Sequence, residues 1–161
     1  MIIYMKNKLA ILSVINSMLL MSHCLPAKAQ VSLTTMQSLS FGTFCIGPAG
    51  GTISISPADH FIVTGDIIPI GKGIIGSPII IEMEAPIGTK VTLLETKSLL
   101  RGNNGNTMTL RLNGTDPATP FITRQTRTSI SIGATLNVSG AGSLPAGKYD
   151  GQLFITFLAG E

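Results

Sequence analysis

The chain has 161 residues, 12% of them charged, with no tryptophan and with 11 Lys and Arg against 8 Asp and Glu. Lys6, Lys8 and Lys28 carry the whole basic excess and all precede residue 30. The remainder is neutral, which excludes the long-range attraction that nucleic acid or an anionic membrane surface requires.

Residues 1–29 read as a secretory signal peptide. Lys6 and Lys8 form a basic start, an apolar run over residues 9–20 follows, and "PAKAQ" puts Ala27 and Ala29 at the small-residue positions before a cut between Ala29 and Gln30. The run is interrupted by Ser13, Asn16 and Ser17 and falls short of the ~20 residues a membrane span needs. The expectation is therefore an exported protein, in the periplasm, on the surface or outside the cell, with no transmembrane span in the mature chain. Cys24 follows the bulky His23, a poor context for lipoprotein processing. Residues 30–161 make one domain, long enough for a sizeable core. They hold a single cysteine, so no internal disulfide can staple the fold. Cys45 shares strand parity with Leu39 and Phe41, which predicts a buried, unreactive thiol.

Past the leader, apolar residues recur with period two between turns rich in Gly, Pro, Asn and Asp, the pattern of short half-buried strands. "SLSFGTF" pairs Leu39 with Phe41, and "GTISIS" pairs Ile53 with Ile55. "HFIVTGDIIPI" contains Pro69, which places it at a sheet edge. "PIIIEMEA" sends Ile79, Ile81, Met83 and Ala85 inward and Glu82 and Glu84 to water. "KVTLLE" follows, then "TMTLRLN" with Met108, Leu110 and Leu112 opposed to Thr109 and Arg111. "SISIGATLNVSG" is the cleanest alternation, with Ile130, Ile132, Ala134, Leu136 and Val138 on one face and Gly133 at a bend. About seven to nine such strands predict an all-β fold, an antiparallel β-sandwich.

The last stretch, "LPAGKYDGQLFITFLAGE", is apolar on both faces. Tyr149, Gly151, Leu153, Ile155 and Phe157 share one face, while Phe154 and Leu158 interrupt the otherwise polar face of Asp150, Gln152 and Thr156. Leu153, Ile155 and Phe157 are expected to complete the domain's own core. Phe154 and Leu158 are expected at a contact with a like subunit or an assembly partner such as a periplasmic chaperone.

Chemistry finds little footing. Gly71, Gly73 and Gly76 spell G-x-G-x-x-G, but "SPIIIEMEAP" after them favours a strand over the helix that would hold a pyrophosphate, so no cofactor is expected. His60 and Asp59 are neighbours, which in a strand point to opposite faces, and one His with one Cys makes no zinc site, so no metal is expected. No serine lies in a nucleophile-elbow context, so the chain is not expected to be an enzyme. A rival reading is a glycan-binding module using the loops around residues 103–106 and 116–120, disfavoured by the lack of tryptophan and the scarcity of tyrosine.

"LSFGTF", "GGTISISP", "IGATLNV" and "AGKYDGQLFITF", in that order, resemble the bacterial secreted family catalogued as domain of unknown function 4402. That family is similar in pattern to spore coat protein U domains and to pilins of chaperone–usher fimbriae. The resemblance implies an immunoglobulin-like, pilin-like sandwich and a structural or adhesive role at the cell surface. Such pilins carry a Tyr and a Gly near the C-terminus in an alternating strand, an arrangement that Tyr149, Gly151, Leu153, Ile155 and Phe157 match.

Overall fold

A computed structural model of the chain describes residues 30–71, 76–94 and 97–160. The expected signal peptide and its cleavage point at Ala29, and residues 72–75 of the glycine cluster, lie outside the described residues.

The cleanest alternation in the sequence is also the hub of the structure. Strand β9 (Arg127–Val138) buries Ile130, Ile132 and Ala134 completely and Leu136 and Val138 almost so. One of its edges pairs with β7 (Thr107–Asp116). The other edge is shared: β4 (Ile79–Glu84) takes residues 127–132, and the second half of β2 (Thr43–Ile55) takes residues 134–138. Gly133 stands at this handover. A Cβ there would lie 2.6 Å from the Ile55 carbonyl oxygen, so only glycine lets the two backbones come this close.

Around this hub, β1 (Ser32–Gln37) extends the sheet beyond β4, and β3 (Phe61–Ile70) pairs with β2 alone and forms an edge. On the far side β6 (Lys97–Gly102) follows β7, and the two-residue β10 (Tyr149–Asp150) closes the series. A second sheet holds β5 (Lys90–Leu94) between β8 (Phe121–Ile122) and β11 (Thr156–Gly160). Every ladder is antiparallel, so the fold class is all-β, consistent with a sandwich. The described residues hold eleven strands, more than the seven to nine expected. The excess comes from β1, β6 and the two-residue β8, none of which the alternation marked, and from division of the expected terminal strand into β10 and β11; against these, the expected "SLSFGTF" and "GTISIS" strands are one strand, β2, and residues 38–42 lie outside it.

The core follows the predicted parity over most of the chain. Ile53, Ile55, Ile79, Ile81, Met83, Ala85, Met108, Leu110 and Leu112 are buried with the β9 residues. Each Ile, Leu, Val or Met side chain among them contributes about 1.5–3 kcal/mol on leaving water. Outside, hydroxyls pair across strands, Thr52 with Thr64 at 2.6 Å and Ser54 with Thr135 at 2.9 Å.

Cys45 departs from expectation: it is exposed. The parity that tied it to Phe41 is broken at Gly42, whose φ of 70° belongs to a turn and not to a strand. Phe41 is buried before the turn, and after it Phe44 and Ile46 face the core while Thr43 and Cys45 face water. A further irregularity inserts residues 47–50 between the pairs Ile46–Ile67 and Gly51–Gly65. Residues 43–46 lie beyond the end of β9, whose last pair with β2 is Gly51–Val138, and pair with β3 alone.

Candidate assembly surface

The terminal segment is positioned by a turn that Tyr149 locks. Its hydroxyl donates to the Pro145 carbonyl at 2.9 Å and accepts from Asn104 Nδ2 at 3.1 Å. Asn104 Nδ2 also donates to the Pro145 carbonyl at 3.2 Å, and Asn104 Oδ1 accepts from the Asn106 backbone N–H at 3.0 Å. The Asn103 N–H donates to the Lys148 carbonyl. Thus the "RGNNGN" and "SLPAG" turns are tied to one another, and the Tyr ring lies where a Cβ on Gly102 would stand 2.7 Å from its edge. The hydroxyl bonding back four residues has the logic of a tyrosine corner.

Beyond Asp150 the chain leaves the ladder. Residues 151–155 run beside β6 without regular pairing, held by Ser98 Oγ donating to the Gln152 carbonyl at 3.0 Å. Gly151 is required here, because a Cβ would meet the Leu99 carbonyl and the Leu100 side chain at 2.9 Å. The chain then enters the second sheet as β11, opposite β5. The expected single strand is therefore two short strands in different sheets, joined by an unpaired crossing.

Within this path Tyr149, Leu153, Ile155 and Phe157 pack against the core while remaining partly accessible. Phe154 and Leu158 point outward, 73% and 53% exposed. Phe154 shares a shallow hollow with Leu99, itself 52% exposed. Leu158 lies opposite Thr92, and Thr156 opposite Leu94; directly opposed residues share a face, so Leu94 and Leu158 both belong to the outer side of the second sheet. Ile122, opposite Lys90, adds a further exposed aliphatic group to that face. Leu94, Leu99 and Ile122 escaped the sequence reading. The doublet Leu93–Leu94 was the available signal, since adjacent large apolar residues in a strand cannot both face one core.

A second feature is an open groove of about 850 Å³ leading to the core. One wall is the stretch Leu39, Phe41, Phe44 and Ile46, and the opposite wall carries Leu153 and Ile155. Core side chains such as Leu110 and Leu136 form its floor. Its only described charged residues, Lys148 and Asp150, pair with each other at 3.0 Å near the mouth.

The other candidates scatter. His60 and Asp59 are exposed in the turn between β2 and β3, where the His60 N–H bonds Ser56 Oγ. After Gly76 the chain forms strand β4. Among the described residues no group of three or more His, Cys, Asp or Glu is arranged to hold a metal ion. In the loops of the rival reading, Asn104 is engaged with Tyr149, and Thr115 Oγ1 is engaged with the Pro117 carbonyl and the Thr119 N–H.

Comparison with curated proteins and with solved structures gave no match. A family model does match, over residues 31–158, from just before β1 into β11. The chain therefore belongs to the family described as domain of unknown function (DUF4402).

Proposed function

We propose that this chain is an exported structural or adhesive β-domain, comparable to a fimbrial or coat subunit. It works by contact with like subunits or an assembly partner, without catalysis, metal or cofactor. One observation carries the reading: Phe154 and Leu158 are large, apolar and exposed on a terminal segment whose other face already serves the core. Side chains of this size scattered singly need no explanation, but here each has a second exposed apolar side chain beside it, Leu99 sharing a hollow with Phe154 and Leu94 the sheet face of Leu158, and grouped apolar surface supports a covered face. The absence of net charge after export fits close association of identical copies, which a strongly charged surface would oppose.

The test is a double substitution, Phe154→Ser with Leu158→Ser, compared with the parent by sedimentation velocity and circular dichroism. The reading expects unchanged β structure and weaker self-association. A variant that unfolds would place both residues in the core and end the argument.

A further inference from the structure

The main sheet ends in an open strand. Among the described residues β3 pairs with β2 alone, so its other edge meets no strand. Proteins blunt such edges with charge, proline, a bulge or brevity, and the other edges here are treated in that way. The β1 register breaks over residues 35–37, and β8, β10 and β11 are only two to five residues long. By contrast, β3 has ten residues. Its second half is guarded, because Pro69 has no N–H to offer a neighbour and Gly65, at φ 76°, leaves the extended conformation. Asp59, at φ 60°, bounds the strand on the other side. Between them Phe61, Ile62, Val63 and Thr64 form an uncharged, unguarded run.

Such an edge takes another strand, whose backbone bonds it directly. The run suits a copy of itself. In an antiparallel pair about a two-fold axis, residues equally far from the axis stand opposite one another. Outward-facing peptide groups alternate along a strand, so they match only when the axis passes through a residue pair. Placing it at Val63 uses the whole stretch from residue 61 to residue 65. Phe61 then faces Gly65 of the second copy, and Ile62 faces Thr64 of the second copy. Ile62, 56% exposed as it stands, gains a neighbour on the outer face. Charge agrees with this register. Asp66 is the one charged residue of β3, and its carboxylate lies over Gly47 of β2. The residue facing it is His60 of the second copy, so no like charges are opposed.

We infer that two copies join edge to edge along β3, antiparallel and centred on Val63, so that their main sheets become one continuous sheet. The contact is isologous and closes a pair. So few paired residues make a small interface, and the pair forms and separates with concentration. It lies apart from the terminal surface: Phe154 borders β6, three strands beyond β2 through β9 and β7. The edge contact therefore goes beyond the assembly reading above and stands without it. Where both surfaces are used, each copy is held at both ends of its main sheet.

Disulfide trapping reads the register. Cys45 is exposed, so Cys45→Ser first removes the native thiol. Ile62→Cys and Thr64→Cys are then made in separate chains, with circular dichroism checking that each keeps its β structure. Directly opposite residues have Cα atoms about 4.5–5.5 Å apart, within disulfide reach. Position 62 to position 62, or 64 to 64, is a diagonal of about 7–8 Å, which is not. After mild oxidation, an equimolar mixture of the two chains should give a dimer band on non-reducing gels several-fold stronger than either alone at the same total concentration. Adding Phe154→Ser and Leu158→Ser to both chains should leave that band unchanged. No band, equal bands from the mixture and the single variants, or a band lost with the terminal substitutions overturns the pairing. A second measurement needs no substitution: in the parent, amide exchange over residues 61–64 should slow as concentration rises, and unchanged exchange overturns the pairing even if a variant fails to fold. The subunit reading is judged separately by sedimentation of the Phe154 and Leu158 variant, so either can fail alone.

Discussion

Replacing Tyr149 by Phe removes one hydroxyl and leaves the ring on the core. That hydroxyl makes two hydrogen bonds, to the Pro145 carbonyl at 2.9 Å and from Asn104 Nδ2 at 3.1 Å. A typical bond contributes about 0.5–1.5 kcal/mol net, and this site is partly exposed, so water replaces some of the loss. The expected cost is about 1–1.5 kcal/mol. In urea, with a slope of about 1–3 kcal/mol/M, it lowers the unfolding midpoint by roughly 0.3–1.5 M. Asn104→Ala should cost a similar amount, because it removes the bond to Tyr149, the bond to Pro145 and the turn-internal bond to Asn106. The two share one bond, so the double variant should lose less than the sum by about 0.5–1 kcal/mol. Strict additivity, or a Tyr149→Phe cost below about 0.3 kcal/mol, would refute the locked turn.

Cys45 should react rapidly with a thiol reagent in native, dilute protein; labelling that requires denaturant would restore the buried position that strand parity first suggested. Ile132→Ala, at a fully buried site on β9, should lose about 2–5 kcal/mol in chemical denaturation. Arg127→Gln breaks an ion pair with Glu84 at 2.6 Å, but both side chains are largely exposed, so thermal unfolding should shift by no more than about 1 kcal/mol equivalent. Gly133→Ala should be far more damaging than its added methyl implies, because that methyl meets the Ile55 carbonyl.

The sequence was most legible where a strand lies between two neighbours. Along β4, β9 and β7 as far as Leu112, alternate side chains meet the core, and period-two reading found nearly all of them; past Leu112 the register of β7 shifts and Thr115 is the next buried residue. It failed where glycine resets the phase. Gly42 reversed the parity ahead of Cys45, and residues 47–50 interrupt the register of β2 against β3, neither of which an alternation count registers. The terminal segment was half legible. The inward and outward residues separate as the pattern indicates, yet its division between two sheets depends on long-range pairing with β6 and β5. Asn104 read as a loop residue, because its bond to Tyr149 spans 45 positions of sequence. The groove has no local sequence signal, since its walls come from residues 39–46 and 145–155, which are far apart in the chain.

Amide hydrogen exchange across residues 151–155 tests most directly whether the terminal segment belongs to an assembly surface. In dilute monomer those amides lack regular partners and should exchange fast, while amides of β9 stay protected. At concentrations where the protein associates, protection should rise over residues 151–155 and leave β9 unchanged. Equal protection of both segments in the monomer, or no change over residues 151–155 on association, would contradict the account.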